Sequence, residues 1–160
     1  MLKNVLDIGR ITPFIAASIW IVPVAWADPD PAGYWQFVDD STGVEIAACA
    51  DPKVGLCGRI VHLPKAASAL PPAQQQQLCN LVMIGALKAS APKGRGELQR
   101  FEGWVIDPEE RLKTAVPKRH AGSLVLTSEV GARLEVQGSL GIVVERHALM
   151  RTIVPGSRCE

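Results

Sequence analysis

The sequence predicts an all-β fold, an antiparallel meander of about eight short strands. Three observations carry this. Apolar and polar residues alternate over short stretches, as in Val44-Glu45-Ile46 and Leu134-Glu135-Val136-Gln137, which is the period of a half-buried strand. Turn-forming clusters follow at short intervals, among them Asp39-Asp40-Ser41-Thr42-Gly43 and Asp51-Pro52-Lys53-Val54-Gly55. No regular alternation of strand and helix patterns is visible, which excludes a parallel α/β sheet.

The elements follow in order. Strands are predicted over 34–38, 44–48 and 58–63, the last stopped by Pro64. Further strands are predicted over 101–106, 112–116, 124–126, 134–137, 142–145 and 149–154. Between 106 and 112, Asp107-Pro108-Glu109-Glu110 reads as a turn. The segment 64–96 is the exception, either one short helix or a long loop. Pro64, Pro71, Pro72 and Pro92 punctuate it, and Gln74-Gln75-Gln76-Gln77 is low in complexity. Pro72 at a first helical position predicts a short helix to about Leu81, with Leu78, Leu81 and Val82 as its apolar face. Such an excursion is a lid or an insertion. Lys93-Gly94-Arg95-Gly96 reads as a solvated basic loop.

Residues 1–27 are expected to be a secretory signal peptide. Lys3 and Arg10 give a basic start, residues 14–22 an apolar run, Pro23 a break, and Ala25 and Ala27 the small residues before the cut. The run is too short to span the ~30 Å hydrocarbon core of a bilayer. Cleavage after Ala27 leaves residues 28–32 as an extended start, 33–155 as a single β domain and 156–160 as a tail. No later segment has the length of a membrane helix, so no membrane span is expected in the mature chain. The expected location is periplasmic or secreted.

The 17 basic and 16 acidic residues give a formal charge of +1, which argues against nucleic acid as a partner. Aromatics make up only 5% of the chain, too few for a platform that stacks bases. Hydrophobic residues at 48% are enough to build a core.

Four cysteines follow the signal segment, and an even number in an exported chain reads as disulfides. Cys49 and Cys57 flank a hairpin loop, whose ends lie at bridging distance. Their spacing is not that of a C-x-x-C redox pair. Cys79 and Cys159 are then left to each other. His62, His120 and His147 are scattered, without the spacing of a metal site. No nucleophile-elbow, phosphate-loop or dinucleotide-binding pattern is present in the mature chain. No metal, no cofactor and no enzymatic activity are expected.

An ordered set of short motifs carries a resemblance. Gly33-Tyr34-Trp35 comes first, then residues 44–49, Leu56-Cys57-Gly58-Arg59-Ile60-Val61-His62-Leu63, Val105-Ile106-Asp107-Pro108-Glu109 and residues 134–141. Together these resemble the bacterial exported family called domain of unknown function 2147, over about residues 31–155. The resemblance implies a small lipocalin-like β-barrel of the cell envelope and no established reaction. It also implies that Gly33 and Trp35 on the first strand and Arg151 on the last mark the barrel's closed end. The chain departs from the family in having Met150 before Arg151 where a Trp is usual nearby. It departs again after its Asp-Pro turn, where Gly and an aromatic usually follow. With a barrel implied, Ile46, Ile60, Val105, Val116, Val125 and Val136 become candidates for its interior lining. The function expected first is a carrier or binder of a small apolar molecule. The second is a packed envelope or interaction module, and the third a hydrolase.

Overall fold

The computed structural model describes residues 29–153 and 159. The predicted signal peptide, the mature start at Asp28 and most of the predicted tail lie outside the described residues. Eight strands follow in chain order: β1 (Gly33–Phe37), β2 (Gly43–Ala48), β3 (Leu56–His62), β4 (Val82–Ser90), β5 (Gln99–Val105), β6 (His120–Leu126), β7 (Gly131–Gln137) and β8 (Val143–Thr152). Each pairs antiparallel with the next, and β8 returns to pair with β1, closing the barrel. Closure removes both sheet edges and so satisfies their backbone groups. The up-and-down, lipocalin-like class expected from the sequence is therefore the fold found.

The element list differs in three places. Residues 112–116 form no strand. Pro108–Lys113 is instead a helix, α2. Asp107 caps it by accepting from the Glu109 N–H at 2.8 Å, Pro108 occupies its first turn, Glu109 and Glu110 stand near its N-terminus, and Arg111 and Lys113 near its C-terminus. All of these favour a helix over the predicted turn and strand. The 64–96 excursion holds a 3-10 turn (Lys65–Ala69), the helix α1 (Pro72–Leu78) and then β4. Leu81 and Val82 thus lie beyond α1 rather than on its face. The separate strands expected over 142–145 and 149–154 are one long strand, β8.

Strand β4 shows how an irregular sequence still forms a barrel stave. Ala86 takes a left-handed conformation at φ 55°, and the pairing with β5 shifts between Gly85 and Lys88. This bulge turns both Ile84 and Leu87 into the core, although they are three residues apart. Gly85 is required here, because a Cβ would sit 2.2 Å from Cζ2 of Trp104. The Trp104 indole is covered in turn by the Arg119 guanidinium, 4.3 Å from the ring.

Inward positions of all eight strands build one apolar core. Trp35, Val44, Ile60, Ile84, Leu124, Leu134 and Leu149 are almost completely buried in it. Each such aliphatic side chain contributes about 1.5–3 kcal/mol by leaving water.

Candidate functional site

Alternate turns of an up-and-down barrel lie at the same end, so the molecule has two ends of different construction. At one end the sheet is shut. Trp35 is fully buried, and its indole N–H donates to the Pro31 carbonyl at 2.8 Å. Arg151 pairs with it across β1 and β8, with its guanidinium 4.5 Å from the indole ring. The same guanidinium donates to the carbonyls of Glu129 at 3.0 Å, Ala32 at 2.9 Å and Asp30 at 2.5 Å. Backbone groups from the segment just before β1 and from the β6–β7 turn are thereby tied under the barrel floor. Gly33, at φ 124°, leaves only 3.2 Å between a would-be Cβ and Arg151 Nη1, so a side chain there would be both strained and crowded. The Cys49–Cys57 disulfide, with Cα atoms 4.9 Å apart, closes the β2–β3 hairpin at this end.

The closed end also reaches onto the barrel's outer face. The β4–β5 loop brings Glu97 over β5, where it accepts from Arg100 at 2.6 and 3.1 Å. Arg100 also donates to Glu135 at 3.1 Å, and Arg133 reaches Glu135 at 2.8 Å. The side chains of Glu97, Arg100 and Glu135 are nearly inaccessible to solvent. The bonds from Arg100 hold the Glu97 carboxyl down at about 2, against the opposing effect of burial. Burial opposes the charge on Glu135 too, but Arg133 and Arg100 together keep its carboxyl below the usual range. Arg100 is shifted upward, first by its bond to Glu97. The Lys93-Gly94-Arg95-Gly96 loop is part of this strap: the Lys93 N–H donates to Glu97 at 2.9 Å, and its ammonium pairs with Glu102.

At the other end the barrel opens into a cavity of about 1110 Å³. Its floor is apolar: Phe37 from β1, Ile60 from β3, Met83 from β4, Val105 from β5, and Leu134 and Val136 from β7. The connections that follow β3 and β5 roof it. Ala67, Leu70, Gln74 and Leu78 come from the 3-10 turn and α1, and Leu112 from α2. The Cys79–Cys159 disulfide anchors this roof. Cys79 caps α1, and the Cys159 N–H donates to the Val61 carbonyl at 2.9 Å. Both expected disulfides are thus formed, and no cysteine among the described residues is free.

The cavity rim is polar. His147 stands on β8 between two carboxylates, with Nδ1 3.4 Å from Asp39 and Nε2 3.5 Å from Glu145. Its ring also meets the edge of Phe37 at 5.9 Å. His120, from the start of β6, lines the same rim. Because the two carboxylates flank His147 on opposite ring nitrogens, they do not converge on one point. Among the described residues no group of three or more His, Cys, Asp or Glu is placed to hold a metal ion.

The six interior candidates separate by position. Ile60, Val105 and Val136 line the cavity. Ile46 is buried in the closed half of the core, beside Gly33 and Gly58. Val125 is buried but on the outer face, opposite Arg100 and Arg133, because its neighbours Leu124 and Leu126 take the inward positions. Val116 is 86% exposed in the connection between α2 and β6, since the strand expected to turn it inward does not form. Among the lining residues that sequence reasoning did not place there are Phe37, Met83, Leu134 and the rim histidines and carboxylates. His62, on β3, is not among the lining residues.

No protein-family model, curated protein or solved structure matches this chain. The fold and cavity define the class: a closed, all-antiparallel eight-stranded barrel with one open, helix-roofed mouth and two disulfides.

Proposed function

We propose that this protein is a non-enzymatic carrier of a small, largely apolar molecule, held in the mouth of its barrel in an exported, oxidising compartment. The apolar cavity carries the reading. A cavity of this size, apolar at the floor and polar chiefly at the rim, is the arrangement in which protein sites take up hydrophobic ligands. Two disulfides in so small a domain fit export, as does the basic-then-apolar chain start. Kinship with the domain of unknown function 2147 family belongs to the same proposal and rests on the ordered motifs.

The test is native mass spectrometry of protein purified from the exported fraction, together with titration of an environment-sensitive apolar dye. A co-purifying small molecule and dye binding that is lost in Val136→Phe, with stability preserved, support the carrier. An empty protein that takes up neither dye nor medium-chain alcohols overturns it.

A second reading, an interaction module, is favoured by one feature. Leu140 and Ile142, at the β7–β8 turn beside the mouth, are 86% and 65% exposed, two apolar side chains that a partner surface could cover. Dye binding with no ligand, combined with concentration-dependent loss of monomer, would favour this alternative.

A further inference from the structure

Resting on the carrier reading, the lining of the cavity also selects a ligand class. We infer that the mouth accepts aliphatic amphiphiles with a cationic head group, such as long-chain amines or quaternary ammonium compounds, and discriminates against fatty acids and other anionic amphiphiles. The apolar part of the argument comes from the floor. Ile60, Met83, Val105, Leu134 and Val136 are aliphatic or thioether side chains, and Phe37 is the sole Phe, Tyr or Trp among the lining residues. Flexible chains pack against such walls, whereas flat polycyclic ligands gain most from aromatic faces.

The head-group argument comes from the rim. Among the described lining residues, Asp39, Asp40, Asp107, Glu109 and Glu145 supply five carboxylates and Lys113 one ammonium. Lys113 is itself 74% exposed and stands 3.9 Å from Glu109, so these two offset each other and the other four carboxylates set the sign of the rim. No arginine is among the lining residues. A carboxylate or phosphate head drawn to this mouth would find no guanidinium fork to receive it. It would also meet a concentration of like charge. A cationic head meets the reverse. Asp39 and Glu145 stand 63% and 64% exposed on either side of His147, each with acceptor capacity to spare. An ammonium beside either carboxylate leaves its chain directed at Phe37 and Leu134, the neighbours of His147 on the inner surface.

The experiment compares three probes of equal chain length on the full mature protein: dodecyltrimethylammonium, dodecanol and dodecanoate. Each is titrated below its aggregation concentration by dye displacement, at low salt and at high salt. The expected order is ammonium, then alcohol, then carboxylate, with about a tenfold gap between the two charged probes at low salt. High salt is expected to shrink that gap to a few-fold or less. The double substitution Asp39→Asn with Glu145→Gln is expected to shrink it similarly at low salt, leaving dodecanol unaffected. Equal affinity for the two charged probes, or preference for dodecanoate, overturns the head-group inference while the carrier reading stands. Failure of all three probes, dodecanol included, overturns the carrier reading itself.

Discussion

The two ends of this barrel are built from the same eight strands but by opposite rules. At the closed end polar groups are spent on each other. Arg151 satisfies three backbone carbonyls, and the buried Glu97 and Glu135 are paired with Arg100 and Arg133. At the open end the polar groups ring a cavity and stay half-exposed, as His147, Asp39 and Glu145 do. The difference teaches where stability and binding reside. Side chains that have already found their partners hold the fold. Side chains left at a rim above an apolar void are available to something else.

The disulfides offer the largest perturbation of this contrast, because one sits at each end. Cys79–Cys159 spans 80 residues and Cys49–Cys57 spans 8. If loop closure in the unfolded chain dominates, the paired Cys79→Ser and Cys159→Ser substitutions cost about 4.5 kcal/mol, and the Cys49, Cys57 pair costs about 2.5 kcal/mol. Urea denaturation of both double variants measures this. Equal costs would mean that native packing at the two ends, rather than chain entropy, sets the values.

The second perturbation is acid. Glu97 has its carboxyl lowered from 4.5 to about 2 in the fold. A carboxylate with a depressed folded value contributes stability that is fully present above its unfolded value and is lost as pH falls through the folded one. Stability is therefore expected to drop by roughly 2 kcal/mol between about pH 4.5 and pH 2 through this group alone. Glu97→Gln should flatten that part of the profile. The dye affinity of the mouth should not follow the same curve, since the Glu97 cluster lies on the outside of β5 and β7. Parallel loss of binding and stability in the variant would break the separation of the two ends.

The closed barrel was readable because its evidence is local. Period-two alternation, turn chemistry and the hairpin cysteines each lie within a few residues. Elements whose cause is tertiary were not readable. Strand β4 does not alternate, because the bulge at Ala86 and the close approach of Trp104 to Gly85 set its course. Val125 looks like an interior valine, but it lies on the outer face between Arg100 of β5 and Arg133 of β7, whose cluster is completed by Glu97 from the β4–β5 loop. Helix α2 is a different case. Its cap, proline and charge order were all present in Asp107-Pro108-Glu109-Glu110-Arg111, and its shortness made it pass for a turn. The rim was the least legible part. Asp39 and His147 are 108 residues apart and meet only because β8 closes onto β1.

The smallest expected effect is also the most direct probe of the closed end. Arg151→Lys keeps the charge and most of the length of the side chain. It loses the planar group stacked 4.5 Å from the Trp35 ring, and one ammonium replaces a fork that reaches the Glu129, Ala32 and Asp30 carbonyls together. The stacking contributes about 0.5–2 kcal/mol depending on its exposure. A lysine recovers part of the hydrogen bonding, so the net loss is expected near 1 kcal/mol, read as a lower thermal midpoint. Dye affinity should stay within about twofold of the parent, a change of less than 0.5 kcal/mol by the affinity relation. The reason is spatial: the cavity lining includes neither Trp35 nor Arg151. A variant of unchanged stability with impaired binding would place this pair in the ligand's path and reverse the roles of the two ends.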